Sequence, residues 1–149
     1  MNFEQRSAAY LILQDPDTKQ VVVILRQNTG HQDGNYALPA GHIEAGDGES
    51  ATRAMQREAG EEIGIQIDIN DLQPMHVQQR RDGPYIYFDV YFLAQRWQGQ
   101  PSNCEPDKCG DLRWMNLDEL PANFVPYTRL VLQDYWPNGI AYSQWGWPE

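Results

Sequence analysis

Basic residues are scarce in this sequence of 149 residues. Eleven Lys and Arg residues stand against 21 Asp and Glu residues, so the formal net charge at neutral pH is -10. Proteins that bind polymeric nucleic acid neutralise its phosphates with clusters of Lys and Arg. The composition therefore predicts no binding of polymeric nucleic acid, whereas a small polyanion shielded by metal ions stays open as a ligand.

Cysteine and long apolar runs are scarce as well. Cys104 and Cys109 have no second Cys or His pair beside them, which favours two free thiols over a zinc site or a loop disulfide. The histidines His31, His42 and His76 lack ligand-like spacing, and we assign them no catalytic role. No apolar run approaches the roughly 20 residues that span a bilayer. We expect no membrane segment and a cytoplasmic location.

The chain length fits one domain, residues 1–149. Residues 7–14 and 20–27 are apolar and β-branched, and the turn-rich DPDTK between them predicts a hairpin. Further strands are predicted at 65–69, 75–80, 85–97 and 112–117, and helices at 49–63 and 127–136. Strands on both sides of one central helix, with a second helix late in the chain, indicate an α+β or α/β sandwich.

The first predicted helix carries an unexpected group of charges. Its REAGEEIG segment places Glu58, Glu61 and Glu62 on about one turn, where carboxylates three or four residues apart repel each other by about 0.2–0.5 kcal/mol per pair. On a helical wheel, Glu58 and Glu62 fall within the apolar stripe that contains Met55 and Ala59, and Glu61 lies at its edge. Buried carboxylates need a partner. A hard divalent cation would satisfy both the burial and the repulsion.

Two other interpretations of these glutamates stay open. A solvated acidic face is disfavoured because the opposite face already carries polar side chains, namely Thr52, Arg53, Gln56 and Arg57. Structural salt bridges are the second alternative, and for these Arg57 is the nearest basic residue. We expect Arg57 to serve one of the three glutamates but not all of them.

Residues 41–65, GHIEAGDGESATRAMQREAGEEIGI, resemble the Nudix box. That box runs Gly, five residues, Glu, seven residues, then Arg-Glu-apolar-x-Glu-Glu-x-Gly-apolar, and from Glu49 onward the match is complete. Seven residues rather than five separate Gly41 from Glu49, which we interpret as an insertion of Asp47 and Gly48. The flanking segments LRQNTG, YALPAGH and LRWMNLDELP resemble MutT-type members of the Nudix hydrolase family.

The resemblance implies a Nudix fold, a mixed β-sheet between α-helices, and metal-dependent hydrolysis of a nucleoside diphosphate linked to another group. Carried over by position, the implied ligands of Mg²⁺ or Mn²⁺ are Glu58, Glu61, Glu62, the carbonyl of Ala40 and, from a later loop, Glu105. For Glu105 an exposed loop glutamate is the alternative.

The resemblance also implies the roles of other box residues. Arg57 orients a glutamate of the cluster, and Glu61 is the candidate general base, although family members differ in which glutamate acts. Glu49 helps to hold the loop and the helix together. Gly41 and Gly64 are the structural glycines of the box.

Substrate contacts are less sharply indicated. Arg26 meets a phosphate or is a surface charge at a strand end, and Asn123 reads the base or is a turn residue. We expect Arg80 and Arg81 to be surface charges. The favoured substrate is a (d)NTP, oxidised forms included, which would give a nucleoside monophosphate and pyrophosphate. Alternatives are dinucleoside polyphosphates, ADP-ribose, sugar nucleotides or a non-catalytic nucleotide-binding regulator. The aromatic tail at 141–149 leaves a homodimer open.

Overall fold

Residues 2–148 are described by a computed structural model, and they form eight strands. In chain order these are β1 Glu4–Leu13, β2 Val21–Arg26, β3 Tyr36–Ala37, β4 Ala40–His42, β5 Gln73–Asp82, β6 Tyr85–Ala94, β7 Cys109–Met115 and β8 Tyr142–Trp145. The helices are α1 Ala51–Ile63 and α2 Pro126–Leu130, and α2 continues as a π-helical turn at Val131–Tyr135. Single 3-10 turns lie at Ala45–Asp47, Ile69–Asp71 and Leu117–Glu119.

The strands form two sheets that share a core. The larger sheet has the order β4-β1-β6-β5-β8, with β1 parallel to β6 and β8 parallel to β5, while the smaller has the order β3-β2-β7. Alternate residues of β1 face opposite sides, so that Leu11 packs in the cluster with α1 and Tyr10 in the cluster with α2. The result is a mixed sheet between helices, which confirms the predicted fold class.

The helix α1 begins and ends where local chemistry predicts. Ser50 is its N-cap, and the side-chain oxygen of Ser50 accepts a hydrogen bond from the backbone N–H of Arg53 at 3.1 Å. Gly64 closes the helix in the left-handed region with φ 72°. Ala54, Met55, Ala59 and Ile63 are fully buried in the face that packs on the sheet.

Two sequence predictions about strands are wrong. The strands β1 and β2 both form, but they belong to different sheets and share only the bridge between Gln14 and Val21. Both faces are buried from Ala8 onward in β1 and over Val21–Ile24 in β2, and each strand pairs with strands that follow later in the chain. The segment 65–69 is no strand, because its only bridge joins Gln66 to Gln98. Its alternating isoleucines reflect packing in the core below α1.

The aromatic tail forms part of the larger sheet. Residues of β8 pair with β5 over four positions, from Val77 with Tyr142 to Arg80 with Trp145. Tyr142 and Ile140 stay exposed at this edge, and a homodimer stays a prediction.

Within residues 2–148 no helix is long and apolar enough to cross a membrane. Cys104 is exposed, Cys109 is buried, and both are free thiols as predicted.

Candidate active site

A cleft of about 840 Å³ opens beside the edge of the larger sheet. Its walls come from β1, β4, α1, the hairpin between β5 and β6, and the loops that follow β2 and precede β7. One end is lined by carboxylates and the other by aromatic and basic side chains. Different interactions hold the side chains in place at the two ends.

The acidic end collects the residues that the box predicts. Glu58, Glu61 and Glu62 of α1 line it together with Ala40 of β4 and Glu105 of the loop before β7. That loop is fixed to the end of α1, because the backbone N–H of Cys104 donates to the carbonyl of Glu62 at 3.2 Å. The structure therefore brings these five residues into one cleft, and their role as metal ligands stays a prediction.

Gly41 of β4 leaves room for the side chain of Glu58 on α1. A Cβ atom at position 41 would overlap the carboxyl group of Glu58. No side chain fits there unless the Glu58 carboxylate moves. The glycine thus creates the space in which Glu58 approaches the strand, and this gives a physical reason for the residue type.

Arg57 organises much of the acidic end. Its Nε and Nη2 donate to both carboxylate oxygens of Glu49, at 2.8 and 3.0 Å. Its Nη1 donates to Glu58 at 2.9 Å and to Glu61 at 3.2 Å, and Nη2 also reaches the carbonyl of His42. Arg57 therefore serves two of the three box glutamates, where one was predicted.

The two residues inserted into the box do not disturb this network. Asp47 ends a 3-10 turn that begins at Ala45, and Gly48 follows in the left-handed region with φ 76°. Glu49 then accepts a further hydrogen bond from the backbone N–H of Glu44 at 3.0 Å. The guanidinium of Arg57 and this backbone bond lower the pKa of Glu49 to about 2. The extra residues are absorbed in one turn.

Glu62 is the exception at this end. It is only 8% exposed, and within residues 2–148 it forms no ion pair. Its carboxylate accepts one hydrogen bond, from the backbone N–H of Ala40 at 3.2 Å. Burial and the charge of Glu58 raise the pKa of Glu62 to about 8, and Glu105 contributes in the same direction. Burial likewise raises the pKa of Glu58.

These residues fit a divalent cation chemically. As the side chains stand, no group of three or more Asp, Glu, His or Cys residues within 2–148 is close enough together to hold a metal ion. The reason is visible: Arg57 holds Glu58 and Glu61, while Glu62 bonds to the backbone. Carboxylate and carbonyl oxygens are nevertheless the donors that hard cations prefer, and such a cation would favour the ionised form of the buried Glu62, which has no ion pair within residues 2–148.

The two predicted substrate contacts differ in placement. Arg26 lines the cleft, and its Nε donates to the carbonyl of His31 at 2.8 Å while Nη2 donates to Thr29 at 3.2 Å. Asn123 is not among the lining residues, and its amide donates to the carbonyl of Gly34 at 3.1 Å. The structure therefore brings Arg26 into the cleft, while Asn123 supports the neighbouring loop.

The opposite end of the cleft contains a residue that sequence reasoning misplaced. Arg80 is only 3% exposed, so the prediction of a surface charge is wrong. It pairs with the fully buried Asp89 through Nε at 2.7 Å and Nη2 at 3.3 Å. Its guanidinium carbon lies over the rings of Tyr87 and Tyr127, 4.2 and 4.5 Å from their centroids. The sequence does contain a signal for the burial of Arg80. Asp89 is a charged residue inside the strand-like segment YIYFDVYFLA, and a buried charge needs a partner.

Asp82 and His31 complete this end. The Asp82 side chain is 46% exposed, and its Oδ2 lies 3.4 Å from Nη1 of Arg80 and 3.5 Å from Nδ1 of His31. The other ring nitrogen of His31 lies 2.9 Å from the hydroxyl of Tyr127. Burial lowers the pKa of His31. No catalytic role was predicted for His31, and its contacts show a residue that supports the cleft wall.

Comparisons with known proteins agree with this geometry. The family model described as NUDIX domain matches residues 4–135. A nudix hydrolase of Caenorhabditis elegans is 30% identical over 119 residues, and the NAD-capped RNA hydrolase NudC of Stutzerimonas stutzeri is 26% identical over 100 residues. The two matches cover 79% and 67% of this chain. The chain spans only 30% and 34% of the length of these curated relatives.

Solved structures give the same result. The MutT NUDIX hydrolase of Burkholderia pseudomallei is 26% identical, with a TM-score of 0.77 over 87% of this chain and 97% of that one. The MutT protein of Methanosarcina mazei, at 14% identity and a TM-score of 0.77, covers 89% of this chain and 94% of that one, and shows the fold alone. With the box residues in place and a family match over most of its length, the chain belongs to the Nudix family.

Proposed function

We propose that the protein is a divalent-metal-dependent pyrophosphohydrolase of nucleoside diphosphate derivatives. The favoured substrate is a (d)NTP, oxidised forms included, and the products are a nucleoside monophosphate and pyrophosphate. One observation carries the proposal: four carboxylates and the Ala40 carbonyl line one end of a cleft whose other end offers aromatic and polar side chains. Metal-bound phosphates fit the carboxylate end, and a nucleoside fits the aromatic and polar end.

Glu58, Glu61, Glu62 and Glu105, with the carbonyl of Ala40, would hold Mg²⁺ or Mn²⁺. Such ions, when bound, neutralise phosphate charge and lower the pKa of a coordinated water. Glu62 suits this role because its buried carboxylate forms no ion pair within residues 2–148 and accepts only the hydrogen bond from Ala40. The all-oxygen donor set is typical of either ion.

Arg57 and Glu61 have separate tasks in the proposed reaction. Arg57 holds Glu58 and Glu61 in place through its Nη1. Glu61 is the most solvent-accessible of the three box glutamates, with 57% of its side chain exposed. Its free carboxylate oxygen can accept the proton of an attacking water, which makes it the candidate general base.

Arg26 supplies positive charge toward the phosphates. Two of its five N–H groups hold the loop that follows β2, through His31 and Thr29. The remaining groups leave the guanidinium able to bind a phosphate oxygen from a fixed position. Arg26 therefore positions the substrate, while the carboxylates at the other wall perform the chemistry.

A second candidate is hydrolysis of a dinucleotide diphosphate such as NAD, free or as an RNA cap. The observation that favours it is the match to a relative named as an NAD-capped RNA hydrolase. The scarcity of basic residues counts against binding of the RNA chain itself. A non-catalytic nucleotide-binding regulator is disfavoured because every glutamate of the box is present.

Product analysis tests these alternatives. The panel contains (d)NTPs, 8-oxo-dGTP, NAD, ADP-ribose, a dinucleoside polyphosphate and a sugar nucleotide, each with and without Mg²⁺. Wild type is compared with Glu61→Gln, and phosphorus NMR resolves pyrophosphate from orthophosphate. We expect Mg²⁺-dependent release of pyrophosphate from one or a few (d)NTPs by wild type and a loss of at least about 100-fold in kcat for Glu61→Gln.

Two outcomes would change the proposal. Release of nucleoside monophosphates from NAD, with no turnover of (d)NTPs, would move the substrate to the dinucleotide class. Binding of nucleotides without turnover of any panel member would favour the regulator. The matched control is Glu119→Gln, the same chemical change at an exposed residue that does not line the cleft.

A further inference from the structure

Glu105 lies at the acidic end of the cleft, but its own side chain makes no bond that would hold it there. Within residues 2–148 the carboxylate of Glu105 forms no ion pair and accepts no hydrogen bond, and the residue is exposed. Its position therefore depends on the backbone of its loop, residues 102–108, which we call the Glu105 loop. Exposed loops are otherwise the more mobile parts of a protein.

Two sets of hydrogen bonds fix the Glu105 loop from opposite sides, and the first comes from α1. The backbone N–H of Ser102 donates to the carbonyl of Ile63 at 2.9 Å. The backbone N–H of Cys104 donates to the carbonyl of Glu62 at 3.2 Å. These bonds hold the part of the loop that precedes the glutamate.

The second set comes from the two residues that follow β2. Three consecutive carbonyls of the loop, at positions 106–108, each accept one hydrogen bond from this pair. The side-chain amide of Gln27 donates to Pro106 at 3.0 Å, and its backbone N–H donates to Lys108 at 3.0 Å. The side-chain amide of Asn28 donates to Asp107 at 2.9 Å. These bonds hold the part of the loop that follows the glutamate.

The turn at 106–108 closes on Glu105 itself. The backbone N–H groups of Lys108 and Cys109 both donate to the carbonyl of Glu105, at 3.0 and 2.9 Å. The backbone N–H of Glu105 donates to the side-chain oxygen of Asn103 at 3.1 Å. A shift of this turn therefore moves the backbone of Glu105 as well.

The residue types at positions 27 and 28 suit these contacts. Asn28 has φ 55°, in the left-handed region that asparagine and glycine tolerate best. Gly110 leaves room for Gln27, because a Cβ atom at position 110 would lie 2.7 Å from the side-chain oxygen of Gln27. The amide nitrogen of each residue thus contacts the Glu105 loop, although Asn28 also lines the cleft.

The segment that carries Asn28 is itself fixed. The carboxylate of Asp33 accepts hydrogen bonds from the backbone N–H groups of Thr29 and Gly30, at 3.1 and 2.8 Å. The guanidinium of Arg26 donates to the same segment. Asn28 therefore holds the Glu105 loop from a support that also orients the proposed phosphate-binding arginine.

We infer that Gln27 and Asn28 are positioning residues, which hold Glu105 beside the box glutamates through the backbone of its loop. The inference rests on the proposed function, because that function places Glu105 among the metal ligands. It extends the function by naming two residues outside the box on which the metal site depends. Loss of a residue that orients a metal ligand typically lowers metal affinity or activity by about 10–100-fold. Since Gln27 and Asn28 act through the backbone, we expect the lower end of that range.

Binding of Mn²⁺ in the absence of nucleotide tests the inference apart from turnover. Electron paramagnetic resonance measures free Mn²⁺ while the ion is titrated into wild type, Asn28→Gly and the control Asn70→Gly. Asn28→Gly removes the amide and keeps a residue that tolerates the left-handed backbone. Asn70 is exposed, does not line the cleft and forms no side-chain hydrogen bond within residues 2–148.

We expect Asn28→Gly to bind Mn²⁺ about tenfold more weakly than wild type, and Asn70→Gly to stay within about twofold. Gln27→Ala should show the same loss, and it takes the place of Asn28→Gly if that variant is poorly folded. Hydrogen exchange of the metal-free protein should be faster at residues 102–108 in Asn28→Gly and unchanged there in Asn70→Gly.

The variant Glu105→Ala separates positioning from a general loss of structure. Glu105→Ala alone should weaken Mn²⁺ binding by about tenfold or more. If Asn28 acts through Glu105, adding Asn28→Gly to this variant should weaken binding by less than about twofold further, because both substitutions remove the same contribution.

Three results would overturn the inference. They are wild-type Mn²⁺ affinity in both Asn28→Gly and Gln27→Ala, wild-type affinity in Glu105→Ala, and a full further tenfold loss when Asn28→Gly is added to Glu105→Ala. Hydrolysis of the nucleotide panel beside any of these results would leave the proposed function intact. The expected changes in Mn²⁺ binding without any hydrolysis would support the inference and overturn the proposed function.

Discussion

Two arginines line or border the same cleft, and both bind several carboxylates, yet they do different work. Arg57 is 29% exposed and holds Glu49, Glu58 and Glu61 at the acidic end. Arg80 is almost fully buried and pairs in bidentate fashion with Asp89. Solvent screens the first network, whereas the second excludes water. The comparison teaches that burial, rather than the number of ion pairs, decides whether an arginine stabilises the fold or positions reactive groups.

The largest expected effect is on stability at Arg80. Arg80→Met would leave Asp89 buried without a partner, which costs about 3–5 kcal/mol of unfolding free energy. Urea denaturation of the variant measures this loss. The control is Arg80→Met combined with Asp89→Leu, which removes both charges and should recover most of the stability. If Arg80→Met alone is as stable as wild type, Arg80 does not compensate the charge of Asp89.

At Arg57 the expected effect is on activity. Arg57→Ala would release Glu58 and Glu61, and loss of a residue that orients metal ligands typically lowers activity or metal affinity by about 10–100-fold. Because the ion pairs are solvent-screened, the unfolding free energy should fall by no more than about 1 kcal/mol. Steady-state kinetics over a Mg²⁺ series, with urea denaturation alongside, separates the two effects. Unchanged kinetics would leave Arg57 with a structural role only.

The smallest expected effect is a pH dependence at Glu49. Arg57 lowers the pKa of Glu49 in the folded protein to about 2 from an ordinary value of 4.5. Stability from this carboxylate is therefore fully present above pH 4.5 and is lost as the pH falls toward 2. Glu49→Gln should be less stable than wild type near pH 6, by under about 1 kcal/mol for a solvent-screened pair.

Below pH 4.5 the two proteins should converge in urea midpoint. If wild type and Glu49→Gln differ in stability by the same amount at pH 3 as at pH 6, the difference does not come from the charge of the Glu49 carboxylate. The measurement is a set of urea denaturations from pH 3 to pH 6. Glu119→Gln serves again as a control, since no ion pair of Glu119 occurs within residues 2–148.

Local features of the sequence predicted the helix α1 well. Ser50, Gly64 and the apolar stripe determine where α1 begins, ends and faces, because capping and periodicity act over a few residues. The spacing of the box then predicted which carboxylates lie together. Glu105 followed from the resemblance, since a loop residue distant in sequence has no local signal for its position.

Long-range pairing explains the failures. The burial of Arg80 depends on Asp89 across a strand pair and on Tyr127 from α2, and no window of neighbouring residues contains both. The hairpin prediction failed for the same reason, since a turn signal such as DPDTK says nothing about which sheet each strand joins. Asn123 shows the remaining limit, because residue type alone does not tell whether an amide faces ligand or backbone.

The central claim is that chemistry occurs at the carboxylate end of the cleft. The most direct measurement is the separate determination of kcat and KM, with Mg²⁺, for the nucleotide that the substrate panel identifies, in wild type, Glu61→Gln and Glu119→Gln. We predict that Glu61→Gln lowers kcat by at least about 100-fold with little change in KM, whereas Glu119→Gln keeps both within about twofold. Retention of kcat by Glu61→Gln, or an equal loss of kcat in both variants, would contradict the account.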